Sequence, residues 1–364
     1  MRKNSKPILV IGGGIAGITA AVEAAEVGCE VILVEKEASL GGRVLQSHRY
    51  FPKMCPPPCG FEINSRRIRR NPRITVYTLA TVEDLKREGG QFQARIRKLP
   101  RYVTGNWVFS DELVEGLTSE RPDDFNLGMK TTKALYYPHD MAYPPGPLLD
   151  REALSEADEK YLREKCPEGA IDWDAAPEEI EIEAGAVILA TGWRPFDAAR
   201  LDNLGYGRYA NVITNVMMER LAAVDGPTGG RIQRPSDGKA PQNVAFVQCA
   251  GSRDENHLAY CSAVCCMASL KQIRYLREAD PDSRATVFYI DVRTIGRLEK
   301  FYYSLLDGPD VSFFKGKVAS IEQIEGSGNL HLEVEDTLAG KKPELEFDLV
   351  VLATGIVPNT DGLG

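Results

Sequence analysis

The run "PILVIGGGIAGITAAVEAAEVGCEVILVEKE", residues 7 to 37, constrains the fold more than any other stretch of this 364-residue chain. An apolar run, a glycine turn, a helical repeat and a second apolar run follow in the order of a dinucleotide-binding α/β unit. Gly12, Gly14 and Gly17 have the G-x-G-x-x-G spacing. The first glycine permits a tight turn, the second lets the backbone approach a pyrophosphate, and the third lets helix pack on strand. The helix opening at Ile15, Ala16 and Gly17 offers free N–H groups and a positive dipole end to phosphates. Glu35, followed by Lys36, closes the second strand 18 residues after Gly17, where a carboxylate can accept from a ribose diol. The glycine spacing alone is a weak signal; strand, helix and acid in register make it a strong one.

At this length two or three domains are expected. A formal charge of -8 argues against nucleic acid as the main partner. The one basic cluster, "NSRRIRRNPR" at 64 to 73, reads as a solvated turn region, or else as a docking spot for an acidic protein or a cofactor phosphate. No apolar run reaches the roughly 18 residues needed to cross a bilayer. "MRKNSK" leads into a strand and a glycine loop and lacks the pattern of a signal peptide. A cytoplasmic setting is expected, where thiols stay reduced. The eight cysteines are then expected to be metal-binding, redox-active or buried rather than disulfide-paired.

Four of them, Cys249, Cys261, Cys265 and Cys266, fall within "QCAGSRDENHLAYCSAVCCM", residues 248 to 267. The count suits an iron–sulfur site or a zinc site, although the C-x2-C knuckles usual for zinc are missing. Uncoordinated thiols, with Cys265 and Cys266 as a strained vicinal disulfide, remain a third reading. His257 in the same loop reads as exposed. Residues 243 to 293 have the strand, loop, helix, strand order of a second α/β unit, yet its turn reads Cys-Ala-Gly-Ser in place of a glycine cradle. NAD(P)H is therefore not expected as direct reductant. Cys55 and Cys59 in "MCPPPCG" are separated by three prolines, which argue against helical bonding between them. They read as unlinked thiols in a rigid turn, as a dithiol, or as a metal or cluster contact. "KCPEGAIDW" is similar to the closing cysteine of a bacterial ferredoxin motif, but Cys166 is the only cysteine between 60 and 248. It reads as a small core residue.

Gly41-Gly42-Arg43 resembles the second phosphate-proximal loop of FAD proteins, and "GAVILATGWRP" (185 to 195) and "DLVVLATGIVPN" (348 to 359) both end a strand in Ala-Thr-Gly. These features resemble the flavoprotein disulfide-reductase superfamily. The resemblance implies an α/β fold with an FAD-binding Rossmann-type domain and a second nucleotide-binding-like domain. It places FAD against Gly12, Gly14, Ile15, Ala16, Gly17, Glu35, Lys36, Gly42, Arg43, Ala190, Thr191, Gly192 and Gly355. The expected partition is FAD domain over 1–85, 184–240 and 345–364, a degenerate ferredoxin-like insert over 86–183, and the second domain with its cysteine loop over 241–344.

Through most of the chain, in "ILVIGGGIAGITAA", "NPRITVYTLATV", "KLPRYV" and "VQCAGSRDE…YCSAVCCMASLKQ", the sequence is similar to the A subunit of heterodisulfide reductase. That resemblance implies a [4Fe–4S] cluster on Cys249, Cys261, Cys265 and Cys266. The lost ferredoxin cysteines, with "FPKMCPPPCGFEIN", resemble one branch, the A subunit of the quinone-interacting membrane-bound oxidoreductase of sulfate reducers. The branch implies an electron-transfer subunit partnered by adenylylsulfate reductase, by a membrane haem/quinone subunit, and by a homologous flavoprotein/iron–sulfur subunit. It would be cytoplasmic and membrane-associated only through a partner. Cys55 and Cys59 also resemble the redox pair of glutathione-reductase-like enzymes, which implies the alternative of a self-contained flavin disulfide reductase or sulfide-oxidising enzyme. Relatives continue past "NTDGLG" with a segment beside the isoalloxazine, so the chain reads as a fragment or part of a longer protein.

Overall fold

A computed structural model describes residues 6–360 except 52, 106, 307 and 309; the basic start and the closing "DGLG" lie outside the described residues. The chain forms two compact units, one running to Gly192 and the other spanning Trp193–Asn359.

In the first unit, β1 (Ile8–Ile11), α1 (Ile15–Glu26), β2 (Val31–Val34), α2 (Pro57–Arg70) and β3 (Ile74–Tyr77) follow in order. The strand Ala186–Leu189, β1, β2 and β3 lie side by side, all parallel, with Ile8 opposite both Ala186 and Val31. Short apolar strands buried on both faces suit a parallel sheet. Ile18, Ala21, Val22 and Ala25 of α1 cover one face by packing on Val10, Val31 and Leu33. On the other face, Leu9, Ile11 and Val34 meet Ala94, Ile96 and Ile182 of an antiparallel meander. That meander comprises β4 (Ala80–Glu88), β5 (Gln91–Lys98) and the strand Glu178–Ala184.

Two expectations need correction here. Residues 64–70 of the basic run are the end of α2, and only 71–73 lie in the turn that follows it. Its arginines are largely paired: Arg67 bonds Glu23 at 2.8 Å and Glu26 at 2.7 Å on α1, and Arg73 bonds Glu30 at 2.7 Å. Such exposed pairs are each worth less than about 1 kcal/mol, but they neutralise the patch. The insert begins after β5 rather than at 86, because β4 and β5 are needed to complete the meander. Residues 99–177 fold around a core of their own, including Leu117, Leu135, Leu149 and Leu162, with Cys166 packed against it. Asp158 ties this segment together by accepting from the Ser119 N–H at 2.6 Å and from the Thr118 N–H and hydroxyl at 3.0 Å. Burial alone would raise its pKa, yet these bonds hold it at about 2.

The second unit is built on a seven-stranded sheet. Its order is Val212–Thr214, Leu349–Thr354, Asn243–Ala250, Arg284–Tyr289, Val311–Gln323, Leu330–Asp336 and Glu344–Phe347. The first five strands are parallel and the last two antiparallel. The expected partition is corrected again: 193–240 and 345–359 belong to this unit, not to the FAD domain. The reason lies in Leu349–Thr354, in which every residue is buried. A strand with no exposed face needs a neighbour on both edges, and it finds them in Val212–Thr214 and Asn243–Ala250.

Candidate functional site

The three glycines of the loop differ in what surrounds them. Gly12 adopts φ +107°, and a Cβ there would stand 2.2 Å from the Ala190 carbonyl oxygen. A Cβ on Gly17 would fall 1.8 Å from the Gly12 carbonyl oxygen, whereas one on Gly14 meets nothing within 4 Å. The open face at Gly14 is therefore the one that can take a ligand. No side chain caps α1 at Gly14, and Ile15 and Ala16 are exposed, so the N–H groups of the first turn are available. Gly42, at φ +59°, brings the loop carrying Arg43 against Gly14, where its Cβ would lie 2.9 Å from the Gly14 Cα. Half-burial lowers the Arg43 pKa, and its Nη1 reaches Gln46 Oε1 at 3.4 Å. Ala190 is held by its N–H to the Ile11 carbonyl at 2.8 Å, with Thr191 and Gly192 following.

Glu35 is buried and accepts from the Gly13 N–H at 2.6 Å and the Glu37 N–H at 2.8 Å. Burial pushes its pKa up against those bonds. It thus braces the loop, and its two carboxylate oxygens keep acceptor capacity beyond those two bonds. Lys36 is exposed and pairs with Glu37 at 3.5 Å. Gly355 departs from the expected group. It lies in the second unit, where a Cβ would sit 2.1 Å from Ser252 Oγ, so it is a packing glycine beneath the cysteine loop.

In the second unit the cysteine loop leaves the C-terminal end of Asn243–Ala250, where open α/β sheets bind ligands. Cys249, Arg253 and Ala263 have φ of 57°, 57° and 61°. Left-handed backbone at such residues costs about 1–3 kcal/mol each and marks a segment held by its surroundings. Cys265 and Cys266 open the helix Cys265–Ala279. The Cys265 thiol donates to the Thr354 carbonyl at 3.4 Å and that of Cys266 to the Asp291 carbonyl at 3.8 Å, while Cys261 Sγ accepts from the Ala263 N–H at 3.4 Å. Burial, then the charges of Cys249, Cys266 and Cys261, push the Cys265 thiol up to about 12. Burial, then Cys266, raises Cys249, and burial raises Cys266. The four thiols therefore share one electrostatic neighbourhood.

Among the described residues no three His, Cys, Asp or Glu side chains are gathered as ligands of a metal ion. All eight cysteines are free, so the vicinal disulfide is not formed. His257 is not simply exposed: its ring stands edge-on to Phe196 at 5.6 Å, and its Nδ1 is buried without a hydrogen-bond partner.

Cys59 sits exposed in the first turn of α2, and Cys55 precedes the helix. The prolines do not prevent this helix, because Pro57 occupies its first position, where no N–H is required. Sequence reasoning passed over Gly13, Arg253, Asp291 and Arg293. The signal for Asp291 is its place at the end of "VFYID", the acid that closes the second strand of a dinucleotide unit.

Residues 7–106 match the family model of FAD dependent oxidoreductases. The chain is 39% identical over 367 residues to the A subunit of the ferredoxin/F(420)H(2)-dependent CoB-CoM heterodisulfide reductase of Methanosarcina acetivorans, covering 100% of this chain and 46% of that protein. It is also 39% identical over 362 residues to the iron-sulfur A subunit of the CoB–CoM heterodisulfide reductase of Methanocaldococcus jannaschii, with 98% and 54% covered. The chain spans about half the length of the curated relatives it matches. Thioredoxin reductase of T. acidophilum is similar in fold, at TM-score 0.51 and 12% identity, over 98% of this chain and 79% of that one. The Lactococcus lactis enzyme gives TM-score 0.51 and 11% identity over 99% and 82%. No helix among the described residues is long and apolar enough to cross a membrane. Over its full length the chain is similar to the A subunits of heterodisulfide reductases, it carries an FAD dependent oxidoreductase domain, and its fold is similar to that of the thioredoxin reductases.

Proposed function

We propose that this chain is the electron-relaying flavoprotein part of a heterodisulfide reductase-like complex, with FAD on the first unit and a [4Fe–4S] cluster on the second. The observation that carries the reading is the placing of four free thiols, Cys249, Cys261, Cys265 and Cys266, at the strand ends where a glycine cradle is missing, with Cys265 bonded to the Thr354 carbonyl and Cys266 to the Asp291 carbonyl. A cubane takes four thiolates, and Cys249 at the strand end, Cys261 in the loop and Cys265 and Cys266 at the helix start supply that number. When bound, the flavin supplies a carrier of electron pairs that can also move singly, and the cluster a one-electron carrier. Gly14 and the first N–H groups of α1 would hold the pyrophosphate, and Glu35 the ribose. Gly42 and Arg43 would close over the phosphates, with Ala190, Thr191 and Gly192 lining the loop's far side.

In the finer reading the partners are adenylylsulfate reductase, a membrane haem/quinone subunit, and a homologous flavoprotein/iron–sulfur subunit, as in sulfate reducers. Its support is the insert, which retains only Cys166 of a ferredoxin pattern and packs that cysteine on an apolar core. A second reading, a self-contained disulfide reductase or sulfide-oxidising enzyme, draws on the exposure of Cys59 beside Cys55. Anaerobic purification followed by flavin extraction, iron and acid-labile sulfide analysis, and EPR of the reduced protein tests the proposal. FAD together with a full cubane complement is expected, and flavin without iron or sulfide would overturn it.

A further inference from the structure

The acid that closes the second strand of a dinucleotide-binding unit ordinarily takes the ribose hydroxyls. In the second unit that position is Asp291, immediately past Arg284–Tyr289 and Ile290, and it is already engaged. Its Oδ1 accepts from Arg253 Nη1 at 2.8 Å and from Arg293 Nε at 3.1 Å, and its Oδ2 faces Arg293 Nη2 at 3.5 Å. Burial would raise this carboxyl, but the two guanidinium groups more than offset it and hold the pKa below the usual range. The same residue touches the thiol site through its backbone, where its carbonyl accepts from Cys266 Sγ at 3.8 Å.

Both arginines flank the thiols in sequence as well as binding the carboxylate. Arg253 follows Cys249 by four residues at a left-handed φ of 57°, inside the loop that runs to Cys261. Arg293 lies two residues after Asp291, whose carbonyl accepts from Cys266 Sγ at 3.8 Å. One carboxylate thus anchors two cations at the cysteine loop, and the unit's ribose acceptor already serves two guanidinium groups.

We propose that Arg253 and Arg293, tethered by Asp291, are positioning residues that fix the net positive charge at the cysteine loop and thereby set the reduction potential of the cluster held there. The proposal rests on the reading given under Proposed function. Hydrogen bonds to the sulfurs and local charge are among the levers that set cluster potentials. A reduced cluster carries one more negative charge than an oxidised one. Cations held beside its ligands stabilise the reduced form and raise the potential. Because two charges share one anchor, the loop keeps this bias at a position where a nucleotide would otherwise compete for the carboxylate.

The test uses the anaerobically purified holoprotein with Arg253→Gln, Arg293→Gln, Arg253→Lys and Arg293→Lys. Midpoint potentials are read by EPR-monitored redox titration, with iron and acid-labile sulfide counted on each sample. Both Gln variants should titrate at a lower midpoint than the parent with iron content unchanged, and both Lys variants should stay near the parent. Loss of iron in a Gln variant that its Lys counterpart retains would equally support the charge requirement. Midpoints that ignore the Gln substitutions, or Lys variants that shift as far as Gln, would overturn this inference and leave the cluster reading standing. A parent protein without iron or sulfide would overturn both.

Discussion

Gly17 approaches Gly12 so closely that a single added methyl would stand 1.8 Å from the Gly12 carbonyl oxygen. Gly14, two residues after Gly12, has no neighbour within 4 Å of the same imagined atom. The two glycines therefore fail in different ways when replaced. Gly17→Ala forces α1 off β1 and should lower stability by about 1–3 kcal/mol, with flavin lost as a consequence. Gly14→Ala should leave the unfolding midpoint nearly unchanged while bound flavin falls severalfold. Thermal unfolding and flavin absorbance on the same samples separate the outcomes; equal destabilisation by both substitutions would refute the division of roles.

Cysteine substitutions discriminate between the relay and the self-contained enzyme. Cys265→Ser should remove most of the iron and labile sulfide while FAD content holds, because the two groups are assigned to different units. Cys55→Ser should leave iron, sulfide and flavin intact and electron flow near the parent level. A Cys55→Ser protein that keeps its visible iron–sulfur spectrum but is inactive would favour a catalytic dithiol instead.

A buried ion pair lies on the helix that carries Cys265. Lys271 Nζ stands 3.1 Å from Glu219 Oε2, and Gln272 Nε2 donates to Glu219 Oε1 at 2.7 Å. Lys271→Met leaves a buried carboxylate short of its cation and should destabilise by about 3–5 kcal/mol. The double variant Lys271→Met with Glu219→Gln should recover part of that loss. Chemical denaturation of the four proteins as a cycle measures the coupling, and strict additivity would show the pair to be irrelevant.

Asp158 supplies a pH signature for the insert. Its folded pKa, at about 2, is depressed below the ordinary 3.8. The bonds it accepts therefore stabilise the fold at pH values above the ordinary range, and that contribution is lost as pH falls toward about 2. The shift corresponds to about 2 kcal/mol. Asp158→Asn should be less stable than the parent at pH 7, and the difference should shrink in acid. A gap that stays constant from pH 7 to pH 2 would count against the assignment.

The glycine loop was legible because its three requirements are local: a positive φ, an open face and a close approach, all within six residues. The strand endings at 190–192 and 353–355 were equally visible, but their partners were not. Which sheet a buried apolar strand joins is a question of non-local pairing, and Leu349–Thr354 could have completed either unit on composition alone. The helix across 57–70 was hidden by its own prolines, which exclude an interior but not a first turn. Asp291 escaped notice because its partner Arg253, far from it in sequence, becomes its neighbour only when the loop folds back over the strand ends.

The placement of Leu349–Thr354 between Val212–Thr214 and Asn243–Ala250 has a consequence for biosynthesis. As the chain emerges from the ribosome, the first unit has nearly all of its strands by residue 192 and can close early. The second unit must wait with a gap in the middle of its sheet until residue 354 has been translated. Until then the Cys265 thiol lacks the Thr354 carbonyl it bonds at 3.4 Å, so the start of the helix beneath the cysteine loop takes its final packing late.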